Sequence, residues 1–175
     1  ADIAYVMQPV LEGQGLRLLE DGGRMVHPHP DFHIVATANT TGAGDSSGMY
    51  ASAVKVQSRA LINRFSTFVS VGYLPIDDEM QLVRNAAPNI SDEAMGMIKD
   101  FVSTYRLGFH DGTIATPISP RNTTTIGKYV SNIEGRVGAT DAVRRALNMN
   151  VMLTVDEGDA IAVTGIMDRI SGQPF

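Results

Sequence analysis

Apolar residues near the start of the chain fall at helical spacing: Ile3, Val6, Met7, Val10 and Leu11 occupy one face at i, i+3, i+4, i+7 and i+8. The pattern predicts a helix already in progress. Residues 17–20 and 24–26 flank Asp21-Gly22-Gly23, whose glycines permit the positive φ of a hairpin turn. His27-Pro28-His29-Pro30 extends no ladder and starts no helix. Residues 32–39 (Phe-His-Ile-Val-Ala-Thr-Ala-Asn) are apolar on both faces, the pattern of a buried strand in a parallel sheet. A loop of small residues, 40–48, leads to a predicted helix over 52–62, and a second strand is predicted over 66–73 with Phe68, Val69 and Val71.

From Leu74-Pro75 the period turns helical throughout. Asp77 is predicted to cap a segment carrying Met80, Leu82, Val83 and Ala86. Ser91 caps one whose apolar face is Ala94, Met97, Ile98, Phe101, Val102 and Tyr105. Ser119-Pro120 places a cap before proline at the first helical position, opening a helix to about Ile133, and Thr140 and Asp159 are candidate caps for two more. The expected fold class is therefore α/β: the C-terminal part of a parallel-sheet core with hairpin over 1–74, then an all-helical domain over 75–175. Two strands, one helix and a hairpin do not complete a doubly covered parallel sheet, so further strands are expected upstream or from partners.

Charge changes the picture only by exclusion. The 175 residues carry 14 Lys plus Arg against 19 Asp plus Glu, a net of −5, which argues against a dedicated nucleic-acid or anionic-membrane binder. A 43% hydrophobic content supports folding, and the absence of cysteine excludes disulfides, thiolate metal sites and a cysteine nucleophile. No apolar run approaches the roughly 18 residues of a membrane span, so a cytoplasmic protein is expected. His27, His29 and His33 alternate as metal ligands sometimes do, yet prolines interrupt them and neither a cysteine nor a carboxylate pair completes a set. Surface or structural histidines are the favoured reading.

The order of features resembles a known family. A helix, a glycine-turned hairpin, a strand ending Ala36-Thr37-Ala38-Asn39, a helix ending Asn63-Arg64-Phe65, a strand, and a helical module with Ser119-Pro120-Arg121 look like the second half of a MoxR-like AAA+ ATPase. Pro28-His29-Pro30-Asp31-Phe32, the loop from Gly42 to Tyr50 and Tyr73-Leu74-Pro75 bring the resemblance closer to the ATPase subunits of cobaltochelatase, the CobS type. The resemblance implies an AAA+ core with a helical lid, ATP and Mg2+ as cofactors, a homo-oligomeric ring with chelatase partner subunits, and hydrolysis coupled to cobalt insertion into a corrinoid precursor in cobalamin biosynthesis. Two alternatives stand beside it: a MoxR-type chaperone ATPase that remodels a partner protein, and a non-catalytic oligomerisation module.

Family members carry a GxxxxGK[ST] phosphate loop and an acidic magnesium-binding segment that these 175 residues lack; Gly127-Lys128 is followed by Tyr129. Truncation just after the acidic segment is the simplest expectation, with the chain alone inactive. Three side chains carry the implied site. Asn39 is placed as sensor 1, helping to position the attacking water; the alternative is a strand-end asparagine bonding its own backbone. Arg64 is placed at the neighbouring subunit's nucleotide, a role worth roughly 10³ to 10⁵ in rate in related nucleotidases. Its alternative is a surface ion pair, and Arg59 is the rival arginine. Arg121 stands in a helical first turn, where a cation opposes the helix dipole. The resemblance makes it sensor 2, binding nucleotide phosphate from the lid; an exposed arginine tolerating the dipole is the alternative. The insert between residues 17 and 26 would face the ring's pore, or be a plain edge ribbon.

Overall fold

The computed structural model describes residues 7–38 and 59–172. The chain divides into two compact units, Ala1–Ser70 and Val71–Phe175. In the first unit, α1 is Gln8–Leu11, with proline at its start. Strands β1 (Leu16–Leu18) and β2 (Arg24–Val26) then pair antiparallel, with Leu16 opposite Val26, Arg17 opposite Met25 and Leu18 opposite Arg24. The predicted hairpin is present. Its turn is wider than Asp21-Gly22-Gly23 alone, because Leu19 and Glu20 leave the ladder, and Asp21 accepts a 2.6 Å hydrogen bond from Arg24 Nε across it.

The two longer strands expected over 32–39 and 66–73 are not formed among the described residues, whose sheet has two strands only. A strand of a parallel sheet is stable only with neighbours on its edges and cover on its faces. Neither is present for these segments, so Val35, Phe68, Val69 and Val71 stay exposed despite an apolar sequence. The chain is thus mostly helical, an outcome consistent with a partial AAA+ C-terminal region. The helix predicted over 52–62 is described only at its end, α2 (Arg59–Ile62). Ile3, Val6 and the small-residue loop lie outside the described residues.

The second unit contains five α-helices among its described residues. α3 (Ile76–Ala86) starts after Pro75, so Asp77 lies in its first turn with Asp78 and Glu79, and caps nothing by hydrogen bond. The three acids still complement the positive helix end. Ser91 does cap α4 (Asp92–His110), accepting from Ala94 N–H at 3.1 Å, and Glu134 accepts from Ser91 N–H at 2.8 Å. Ser119 caps α5 (Pro120–Val137) with Asn122 closing a reciprocal box. This helix runs four residues beyond Ile133 and stops at Gly138, whose φ of 85° suits only glycine and turns the chain directly into α6 (Ala139–Leu147). Gly138 therefore takes the place expected for a Thr140 cap. A π-helical turn, Asn148–Met152, continues α6. Asp156, rather than Asp159, caps α7 (Glu157–Ser171).

The core lies between these helices. Ile98, Phe101, Val102 and Tyr105 of α4 are buried with Val83, Ile126, Val130, Val143, Leu147 and Val163. α5 packs on α3 so closely that a Cβ on Gly127 would lie 2.3 Å from Val83 Cγ1. No helix among the described residues is long and apolar enough to cross a membrane.

Candidate functional site

Arg64 follows α2, and its guanidinium turns back onto the first helix of its own unit. Nε donates to Glu12 Oε1 at 2.6 Å, Nη2 forms an ion pair with the same carboxylate, and Nη1 donates to the Ala60 carbonyl. With its amide oxygen turned to the guanidinium, Gln8 accepts from Nη2 at 2.6 Å and from Nη1 at 3.2 Å. The side chain retains only 23% of its exposure. This geometry realises the ion-pair alternative for Arg64 and leaves a phosphate role to be tested. Arg59 opens α2.

Arg121 lies in the first turn of α5, in the second unit, and is exposed. Its guanidinium has no hydrogen-bond or ion-pair partner among the described residues, so nothing local compensates the dipole cost. An unpaired guanidinium at a helix N-terminus suits a phosphate, whose oxygens it can meet in a bidentate pair. Asn39 lies outside the described residues. Of the three predicted side chains, one is held within its unit by Glu12 and Gln8 and one is exposed on the other unit. His29 is exposed, its Nδ1 accepting from Asp31 N–H at 3.2 Å. For Mg-ATP the fit is partial: the exposed Arg121 suits phosphate, whereas the GxxxxGK[ST] motif that supplies the lysine and backbone nest of a phosphate loop is missing from the sequence.

Two arrangements escaped sequence reasoning. Glu79, fully buried on α3, receives Arg106 of α4 as a fork: Nη1 to Oε2 at 2.8 Å and Nη2 to Oε1 at 3.0 Å. Arg106 Nη2 also donates to the Ile118 carbonyl at 3.4 Å, and its Cζ lies 3.9 Å above the Tyr73 ring. Together with Ser103, Leu107, Phe109 and His110, Tyr73 and Arg106 line an open groove of about 550 Å³. With the guanidinium committed to Glu79, this groove has little polar chemistry to offer. The second arrangement is Asp159, whose two oxygens accept from Ala115 N–H and Thr116 N–H at 2.8 Å each, pinning the α4–α5 connection to α7. Burial works against its charge, but these donors outweigh it and hold its carboxyl below the usual range. Burial, reinforced by the Asp159 charge, pushes the Tyr105 phenol well above its ordinary value. Only a glutamate at an otherwise apolar helical position hinted at the first arrangement, and the second left no sequence signal.

No family model and no solved structure matches the chain. Over 128 residues, 71% of its length, the chain is 33% identical to a curated Sinorhizobium protein named aerobic cobaltochelatase subunit CobS. The chain spans 38% of that protein's length. The chain is accordingly a distant, partial homologue of an aerobic cobaltochelatase subunit, a relation that supports AAA+ kinship at the level of the family.

Proposed function

We infer that these residues form the C-terminal portion of a CobS-type AAA+ ATPase, comprising the end of the nucleotide-binding core and its helical lid. The observation that carries this reading is the 33% identity across 71% of the chain to a protein named for aerobic cobaltochelatase. In this reading a phosphate loop outside the 175 residues holds Mg-ATP, whose hydrolysis supplies the driving energy for cobalt insertion by partner subunits in a ring. The macrocycle and cobalt bind elsewhere. This chain contributes Asn39 to orient water, Arg121 to contact phosphate from the lid, and Arg64 to reach the nucleotide of the next subunit.

The two arginines have separable expected effects. Arg121 contacts phosphate in the ground state and the transition state alike, so Arg121→Ala should weaken nucleotide binding and lower turnover together. Arg64 strengthens its contact mainly as charge develops on the transferred group, so Arg64→Ala should abolish turnover while binding stays nearly intact. Nucleotide titration and steady-state hydrolysis on the complete protein check both. Wild-type turnover in both variants would sink the reading.

A further inference from the structure

The groups around Arg64 account for every donor it has, with the Gln8 amide oxygen turned to the guanidinium. A guanidinium carries five N–H groups in a fixed fork. Here the Nε–H goes to Glu12, the Nη2 pair to Glu12 and Gln8, and the Nη1 pair to the Ala60 carbonyl and Gln8. Ala60 is four residues back, on the helix α2 that leads into Arg64, so its carbonyl travels with the arginine. Glu12 and Gln8 do not: they come from the other end of the unit, separated from Arg64 by 52 residues in the case of Glu12. A phosphate takes two roughly parallel N–H donors from arginine. In the present geometry it obtains them only by displacing Glu12 and Gln8.

We propose that Glu12 and Gln8 are positioning residues that holster Arg64, holding its guanidinium within its own subunit until a phosphate from a neighbouring subunit displaces them. The proposal rests on the reading of Arg64 as an arginine that acts in trans. Glu12 is the stronger of the two because its charge must be left behind when the arginine moves, whereas the Gln8 amide is neutral. A dianionic phosphate competes well for the guanidinium, so the holster sets how much neighbour is needed for activity and leaves the chemical step to Arg64. It also keeps an unpaired cation from being exposed on a subunit without neighbours.

The test measures ATP hydrolysis by the complete protein as a function of subunit concentration. Glu12→Gln keeps the size of the side chain and removes the charge that competes with phosphate. Its half-maximal concentration should fall roughly three- to five-fold, the scale of a partly exposed ion pair, with turnover at saturation unchanged. Glu12→Asp, which keeps the charge, should behave as wild type. In an Arg64→Ala background, assembly with bound ATP followed by sedimentation should not respond to Glu12→Gln at all. An unchanged or raised half-maximal concentration for Glu12→Gln, with Arg64→Ala inactive, would overturn the holster and leave the role of Arg64 standing. Wild-type turnover in Arg64→Ala would overturn the role itself, and the holster with it.

Discussion

At the scale of single residues, the ion pair of Glu79 with Arg106 in the second unit is structural. Glu79 has no exposure and Arg106 only 13%, so their fork is a buried ion pair whose desolvation is already paid in the folded state. Removing one partner strands the other charge. Glu79→Ala should cost about 3 kcal/mol of unfolding free energy, while replacing both residues by methionine should recover most of it; urea unfolding of the wild type and the two variants measures the difference. Asp159 has a pH signature. Its folded-state pKa lies below the ordinary 3.8, so its contribution is fully present above that value and is lost as the pH falls through the folded value. Asp159→Asn should therefore lower the urea midpoint at pH 7 and flatten its fall below pH 4; equal slopes for the two proteins would contradict the assignment. The caps at Ser91 and Ser119 were legible in the sequence because a cap bonds backbone only three residues away. The partners of Glu79 and Asp159 lie 27 and more than 40 residues off, where no local pattern points.

At the scale of elements, the helices follow from their own periodicity, and their crossings follow from small residues. Gly127 faces Val83 where α5 meets α3, and the 2.3 Å separation from a notional Cβ leaves no room for a methyl group. Gly127→Ala should destabilise the second unit by about 1 to 3 kcal/mol through overpacking, despite alanine's better helix propensity. Val83→Ala on that background should return part of the loss, and thermal unfolding distinguishes this from a simple propensity gain. Strands follow a different rule. The segments over 32–39 and 66–73 have strand sequences, yet a strand is stabilised by its neighbours in the sheet, and sequence alone does not supply those neighbours. The hairpin formed because its partner is six residues away, from Leu18 to Arg24.

At the scale of the whole molecule, a helical unit with its own core follows a first unit whose apolar segments find no sheet partners among the described residues. The order of motifs from the hairpin to Ser119-Pro120-Arg121 made the family legible in the sequence, and the partial homologue supports it. The site was less legible, because the proposed chemistry uses side chains meant to meet a nucleotide held elsewhere. Arg64, with its donors turned to Glu12 and Gln8, illustrates this: its contacts all lie within its own unit. The central claim is that Arg64 completes the nucleotide site of the next subunit. The most direct measurement mixes Arg64→Ala subunits of the complete protein with subunits inactivated at the phosphate loop and follows ATP hydrolysis in the mixture. Partial recovery of turnover is expected, since some interfaces then pair an intact nucleotide site with an intact Arg64. No recovery in assemblies shown to contain both subunits would contradict action in trans and return Arg64 to the role of an ion-pair partner for Glu12.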